Sequence, residues 1–194
     1  MAEAPVIAFR DAAEFEAWLE AHVDLQGGVW LKIARKGSGL PSLTSDEAVD
    51  VGLCFGWISG QRRALDERHY LQKYVPRRPG SRWSQINVDK VAVLAAAGRM
   101  RATGQAEIDA ARADGRWAAA YAPQRTAGIP HDLAVALASH PLASAAFESL
   151  GRTRQYAWIL KLLTARDERA RQVQLAKLID TLEGACAPVE RGGG

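Results

Sequence analysis

The spacing of apolar residues changes part-way along the chain, and that change limits the folds open to it. In the N-terminal half two stretches alternate with period two: Val29, Leu31 and Ile33 with Trp30, Lys32 and Ala34, and Tyr70, Gln72 and Tyr74 with Leu71, Lys73 and Val75. That is the pattern of strands with one buried face. From His131 onward only helical spacing occurs, with Tyr156, Ile159, Leu160 and Leu163 in one set and Leu175, Leu178, Ile179 and Leu182 in another. A small antiparallel sheet with helices, followed by helices alone, makes an α+β chain with a helical C-terminal domain. The boundaries read as an α+β domain over 1–115, a linker over 116–130 (RWAAAYAPQRTAGIP, weakly periodic and carrying two prolines) and a helical domain over 131–187.

Punctuation residues sharpen this outline. Asp11 with Glu14 forms a capping box before a helix over 11–22 whose face is Phe15, Trp18, Leu19 and His22. Thr44 with Glu47 forms a second box, with Leu43 and Ala48 as a hydrophobic staple and Gly56 as a left-handed stop. Trp57 to Leu65 and Tyr70 to Val75 read as a hairpin about Asp66-Glu67-Arg68, ended by Pro76 and Pro79, which gives three antiparallel strands in all. Asn87 caps a helix running to Gly98 and Thr103 caps one running to Asp114-Gly115. Further helices fall near 131–139 and 141–150, and the glycine-rich tail reads as frayed.

Composition excludes several classes. With 48% hydrophobic and 24% charged residues the 194-residue chain is neither disordered nor fibrous. Its 25 basic and 22 acidic side chains leave +3, too little to argue for a polyanionic partner without local clustering. Cys54 and Cys186 are no disulfide framework; both read as free thiols and suit a reducing compartment. The N-terminal residues do not read as an export signal and no run of about 18 apolar residues occurs, so the expected address is cytoplasmic, with no membrane span.

Catalytic motifs are missing from the pattern. Lys36-Gly37-Ser38-Gly39 lacks the phosphate-loop spacing and reads either as a ligand-holding loop or as a plain connection. His22, His69, His131 and His140 are too dispersed for a metal site, and Cys54 has apolar neighbours that raise a thiol pKa. Asp50, between Val49 and Val51, is the least ordinary carboxylate, yet a solvated helix position explains it better than catalysis does. No catalytic residue, metal or cofactor is expected.

One local excess remains. Between Arg62 and Arg82 seven cations face only Asp66 and Glu67, a net +5 in a chain of +3. Candidate ligand-binding residues are therefore Arg62, Arg63, Arg77, Arg78 and Arg82 with the aromatics Trp57, Tyr74 and Trp83, because guanidinium forks beside aromatic rings suit carboxylate or phosphate. The competing reading is that the Arg stems merely cover Trp83 and the Tyr rings.

Four separated runs carry a family resemblance: VWLKIARKGSG (29–39), EAV through LCFGWI (47–58), YVPRRPGSRWS with Ile86-Asn87 (74–87) and Gly98-Arg99-Met100. Together they resemble the YdeI/OmpD-associated (bacteriocin-protection) family, and residues 131–184 are similar to its helical OmdA domain. The resemblance implies an N-terminal portion related to YjbR/CyaY-like or DUF1801-like α+β domains. It also implies an association with resistance to antimicrobial peptides or envelope stress, with no established activity or cofactor. Two positions depart from that family: Ser59 stands where an acidic residue commonly follows Gly-Trp-Ile, and Asp167-Glu168 follow Arg166 where a basic-Pro-Glu run is usual.

The expected function is thus non-enzymatic stress protection or interaction, binding an anionic small molecule or acidic protein surface through the Arg/aromatic patch. The alternatives are an enzyme acting on a phosphorylated or carboxylated small molecule between the two domains, and a nucleic-acid-binding protein.

Overall fold

The structure, a computed structural model, describes residues 4–186. The readings of the tail beyond residue 186 and of the Cys186 thiol lie outside the described residues. The chain divides into two compact units, 1–120 and 121–194.

In the first unit, strands β1 (Val6–Ile7), β2 (Val29–Ala34), β3 (Trp57–Ala64) and β4 (His69–Pro76) form a sheet of order β1-β2-β4-β3. The three expected antiparallel strands are present, β2 and β3 each pairing with the central β4. β1 is an addition, parallel to β2. A two-residue strand has no alternation to read; it exists because β2 offers it an edge. Register sets Val29 opposite Tyr74, Leu31 opposite Gln72 and Ile33 opposite Tyr70, so these six share one face. Against the core pack helices α1 (Ala12–Ala21), α2 (Ser45–Cys54), α3 (Gln85–Ala96) and α4 (Ala102–Ala113), contributing Phe15, Leu19, Val51, Leu53, Val91 and Ile108.

Caps decide where these helices begin. The Asp11 side chain accepts from the Glu14 amide, but the Glu14 carboxylate turns to the Arg10 amide, so the expected box is half made. At α2 the box is complete: the Glu47 amide donates to Thr44 Oγ1 at 3.2 Å and the Thr44 amide donates to Glu47 Oε2 at 2.8 Å. Thr44→Ala should therefore cost about 1 kcal/mol in urea denaturation; an unchanged midpoint would contradict that role. Gly56 ends the helix with φ 75°, as its position after Phe55 suggests. Two expected caps are corrected. Ser84, not Asn87, caps α3, its hydroxyl accepting from the Asn87 amide at 3.2 Å, and α4 begins after Arg101 with no side-chain cap. Trp117, at the start of the expected linker, packs its ring 4.8 Å from that of Trp83.

The second unit comprises α5 (His131–Ser139), α6 (Pro141–Ser149), α7 (Arg152–Leu163) and α8 (Glu168–Cys186). Leu133, Leu137, Phe147, Ile159, Leu162, Leu178 and Leu182 form its core. Arg171 of α8 clamps this unit: its Nε and one terminal nitrogen donate to the two Asp132 carboxylate oxygens at 2.7 and 2.8 Å, and the other donates to the Leu162 carbonyl at 2.7 Å. The hydrogen bonds from Arg171 hold the Asp132 carboxyl below its ordinary value. A depressed folded pKa stabilises above the unfolded value, about 3.9, and that stabilisation is lost as pH falls through the folded value. Asp132→Asn should lower stability at pH 7 by about 2 kcal/mol and flatten the acid limb of the C-terminal unit's stability curve. An acid limb identical to the parent's would contradict this.

Candidate functional site: a basic cleft beside the hairpin

Where β2 ends, the chain leaves the sheet through Arg35 to Leu43 and re-enters at α2. This loop and the open end of the β3–β4 hairpin enclose a cleft of about 620 Å³. Ile33, Leu40 and Leu43 supply an apolar floor, Ser38, Ser42 and Ser45 supply hydroxyls, and Arg35, Lys36, Arg62 and Tyr70 form the rim. The amides of Ser45 and Asp46, at the first turn of α2, have no intrahelical acceptor and add partial positive charge at the same end.

The position of Arg62 follows from an irregularity in β3. Between Ser59 and Arg62 the pairing with β4 shifts register. Buried Gln72 satisfies the displaced backbone, its amide nitrogen donating to the Gly60 and Gln61 carbonyls at 2.9 and 3.1 Å. Its oxygen accepts from Arg62 Nε at 2.8 Å. The guanidinium is thereby laid over the Tyr70 ring at 4.5 Å, with a second contact to Ser45 Oγ at 3.3 Å. A bulge that re-aims a side chain is a recurrent device beside binding sites.

Several cations elsewhere in the molecule are held by carboxylates. Arg99 and Arg101 pair with Glu16 and Glu20, Lys90 with Asp46 and Asp50, and Arg171 with Asp132. Among the described residues, Arg35, Lys36, Arg62 and Arg63 have no carboxylate within ion-pair distance. Asp46, the carboxylate that lines the cleft, is held by Lys90 at 2.9 Å. The cleft therefore has uncompensated positive charge.

The eight residues singled out from sequence do not form one surface. Arg62 reaches the cleft, whereas Arg63 borders the outer hollow and lays its guanidinium over the Trp30 ring at 4.5 Å. Trp57, Tyr74 and Trp83 are 3%, 1% and 1% exposed, and Arg77 is 5% exposed. Arg77 lies over the Trp83 ring at 3.5 Å and donates to the Arg82 carbonyl at 3.2 Å, so at the proline-bracketed corner the covering role of the Arg stem describes it. Arg78 and Arg82 are exposed on the same corner. The row of Tyr70, Gln72 and Tyr74 lines no open groove along its length. Tyr74 meets Phe15 edge-on at 5.8 Å, burial pushes its phenol pKa well up, and only Tyr70 reaches the cleft. Asp50 serves the ion pair with Lys90 at 2.7 Å, and burial raises the Cys54 thiol pKa as its neighbours suggested.

Residues left out of the candidate set are Arg35, Lys36, Ser45 and Tyr70, although Lys36 lies in the loop read as ligand-holding or as a plain connection and Tyr70 in the alternating strand. Among the described residues no group of three or more His, Cys, Asp or Glu side chains is placed to hold a metal ion, and no helix is long and apolar enough to cross a membrane.

Residues 7–107, more than half of the chain, match the family described as domain of unknown function DUF8412. The chain belongs to that family. Residues 126–184 match the model described as bacteriocin-protection, YdeI or OmpD-associated, so the OmdA resemblance holds for the helical unit. No curated protein and no solved structure matches the chain. The basic cleft lies wholly inside the DUF8412 portion, and the Arg171–Asp132 clamp inside the OmdA portion.

Proposed function

We propose that this DUF8412 and OmdA protein works without catalysis in stress protection or molecular interaction, by binding an anionic ligand in the cleft between the β2–α2 loop and the hairpin. The observation that carries this is the cluster of Arg35, Lys36, Arg62 and Arg63 with no carboxylate paired to any of them among the described residues. Unpaired guanidinium groups at a concave site favour carboxylate or phosphate, through charge-assisted and bidentate hydrogen bonds. The Arg/aromatic element of the reading survives in altered form: Arg62 on Tyr70 replaces the corner at residues 76–83. The buried thiol of Cys54 is compatible with a reducing, cytoplasmic setting.

Enzymatic turnover of a phosphorylated or carboxylated small molecule is the second reading. It needs a general base, and the lining carboxylate, Asp46, is engaged by Lys90. Calorimetric titration with inorganic triphosphate tests the first reading. Saturable one-to-one binding that weakens with salt is expected. No saturable heat at millimolar triphosphate would overturn it. Binding of a single-stranded oligonucleotide with a log–log salt slope of roughly −3 or steeper would instead transfer the cleft to a polyanion.

A further inference from the structure

Beside the cleft lies a second hollow of about 360 Å³ that shares part of its lining. Arg35, Lys36, Arg62 and Tyr70 line both. The inner hollow adds the apolar Ile33, Leu40 and Leu43 together with four hydroxyl residues and Asp46, whereas the outer one adds only Arg63 and Ala64. Cations thus form the boundary, and the apolar surface of the inner hollow is offered mainly by Leu40, since Ile33 and Leu43 are 2% and 1% exposed. The combined space is that of a small-molecule site rather than of a single inorganic anion.

A bare phosphate seated on the cations would leave the inner floor against water. A purely apolar ligand would leave four cations without a partner. Resting on the anion-binding reading above, we propose that the two hollows together take an organic phosphate, with the phosphate or pyrophosphate group among Arg35, Lys36, Arg62 and Arg63 and an apolar or planar body over Leu40. Tyr70 stands at the junction, one face of its ring covered by Arg62, and it separates the charged end of the ligand from the apolar end. The same chemistry has two sources, a nucleotide and an alkyl phosphate of the lipid type.

The full chain is titrated with inorganic phosphate, inorganic triphosphate, ATP and octyl phosphate. ATP should bind at least about tenfold more tightly than triphosphate, or octyl phosphate than phosphate, since tenfold corresponds to burying roughly 60 Å² of apolar surface. The pair that shows the gain identifies the source. Leu40→Ser should remove the gain while leaving inorganic affinities within about twofold, because it changes the floor and not the charge. Arg63→Ala, at an exposed position, should weaken inorganic and organic ligands by one common factor and covers the case in which the Leu40 variant fails to fold. Equal affinities for the organic and inorganic members of both pairs would overturn the inference while leaving anion binding intact, as would a gain that persists in a folded Leu40→Ser protein. Absence of binding by all four probes would remove the anion-binding reading itself.

Discussion

Gly104→Ala is expected to destabilise the N-terminal unit by about 3 kcal/mol, at the upper end of what overpacking costs. Gly104 lies in the third position of α4, buried against the C-terminal end of α2. A Cβ there would stand 2.1 Å from the Cys54 carbonyl oxygen, 2.7 Å from its carbon and 2.9 Å from the Leu53 oxygen. Those are backbone atoms at the end of a helix, so no rotamer change relieves the clash. The Cys54 oxygen also accepts from the Arg101 amide at 3.0 Å, a bond that tethers the start of α4. Moving α4 away to admit the methyl would loosen that bond and the neighbouring contact at Gly56, whose own Cβ would meet the Thr103 oxygen at 3.0 Å. Helix propensity alone favours alanine by up to about 1 kcal/mol, so the sign of the change separates packing from propensity. A fall in Tm of about 10 °C is expected for a domain of this size. An unchanged or higher Tm would show that α4 does not sit against α2 as described.

The second large effect concerns binding. The triple variant Arg35→Gln, Lys36→Gln, Arg62→Gln should weaken triphosphate binding at least about 100-fold, since hydrogen bonds to charged groups contribute roughly 1.5–3 kcal/mol each and about 2.8 kcal/mol suffices. Thermal stability should change little. Arg35 and Lys36 are exposed and unpaired with any carboxylate among the described residues, and glutamine at 62 retains a polar group near Gln72 and Ser45. Removing mutually repelling cations relieves part of any loss. The matched control is Arg78→Gln with Arg82→Gln, on the corner that the charge count singled out; it should bind as the parent does. Weak binding in the control with full binding in the triple variant would place the site at the corner instead.

These two expectations mark what sequence could and could not tell. The limits of β2, the hairpin and the Thr44–Glu47 box were legible because each is a local pattern: period-two alternation, a polar turn, a hydroxyl three residues before a carboxylate. The short helices α5 and α6 were legible for the same reason. β1 was not, because two residues carry no pattern and its existence depends on an edge supplied by β2. Alternation also put Tyr70, Gln72 and Tyr74 on one face without telling which face the helices cover. The charge excess over 62–82 suffered similarly. Counting cations along the chain treats Arg77 and Arg62 alike, yet one is buried on Trp83 and the other held over Tyr70 at the rim of a cleft. Arg35 and Lys36 belong with Arg62 only through the pairing of β2 with β4 and β4 with β3, which carries residues some 27 positions apart to one end of the sheet. Gly104 gave no signal because its reason is a neighbouring helix.

The central claim is that anions enter at the β2–α2 loop and the hairpin end. Amide chemical-shift mapping of the full chain during titration with inorganic triphosphate tests it most directly. Saturable shifts concentrated in residues 35–46 and 62–70, with 76–83 and the OmdA portion unchanged, are expected. Shifts centred on 76–83 or on 131–184, or none at saturating triphosphate, would contradict it.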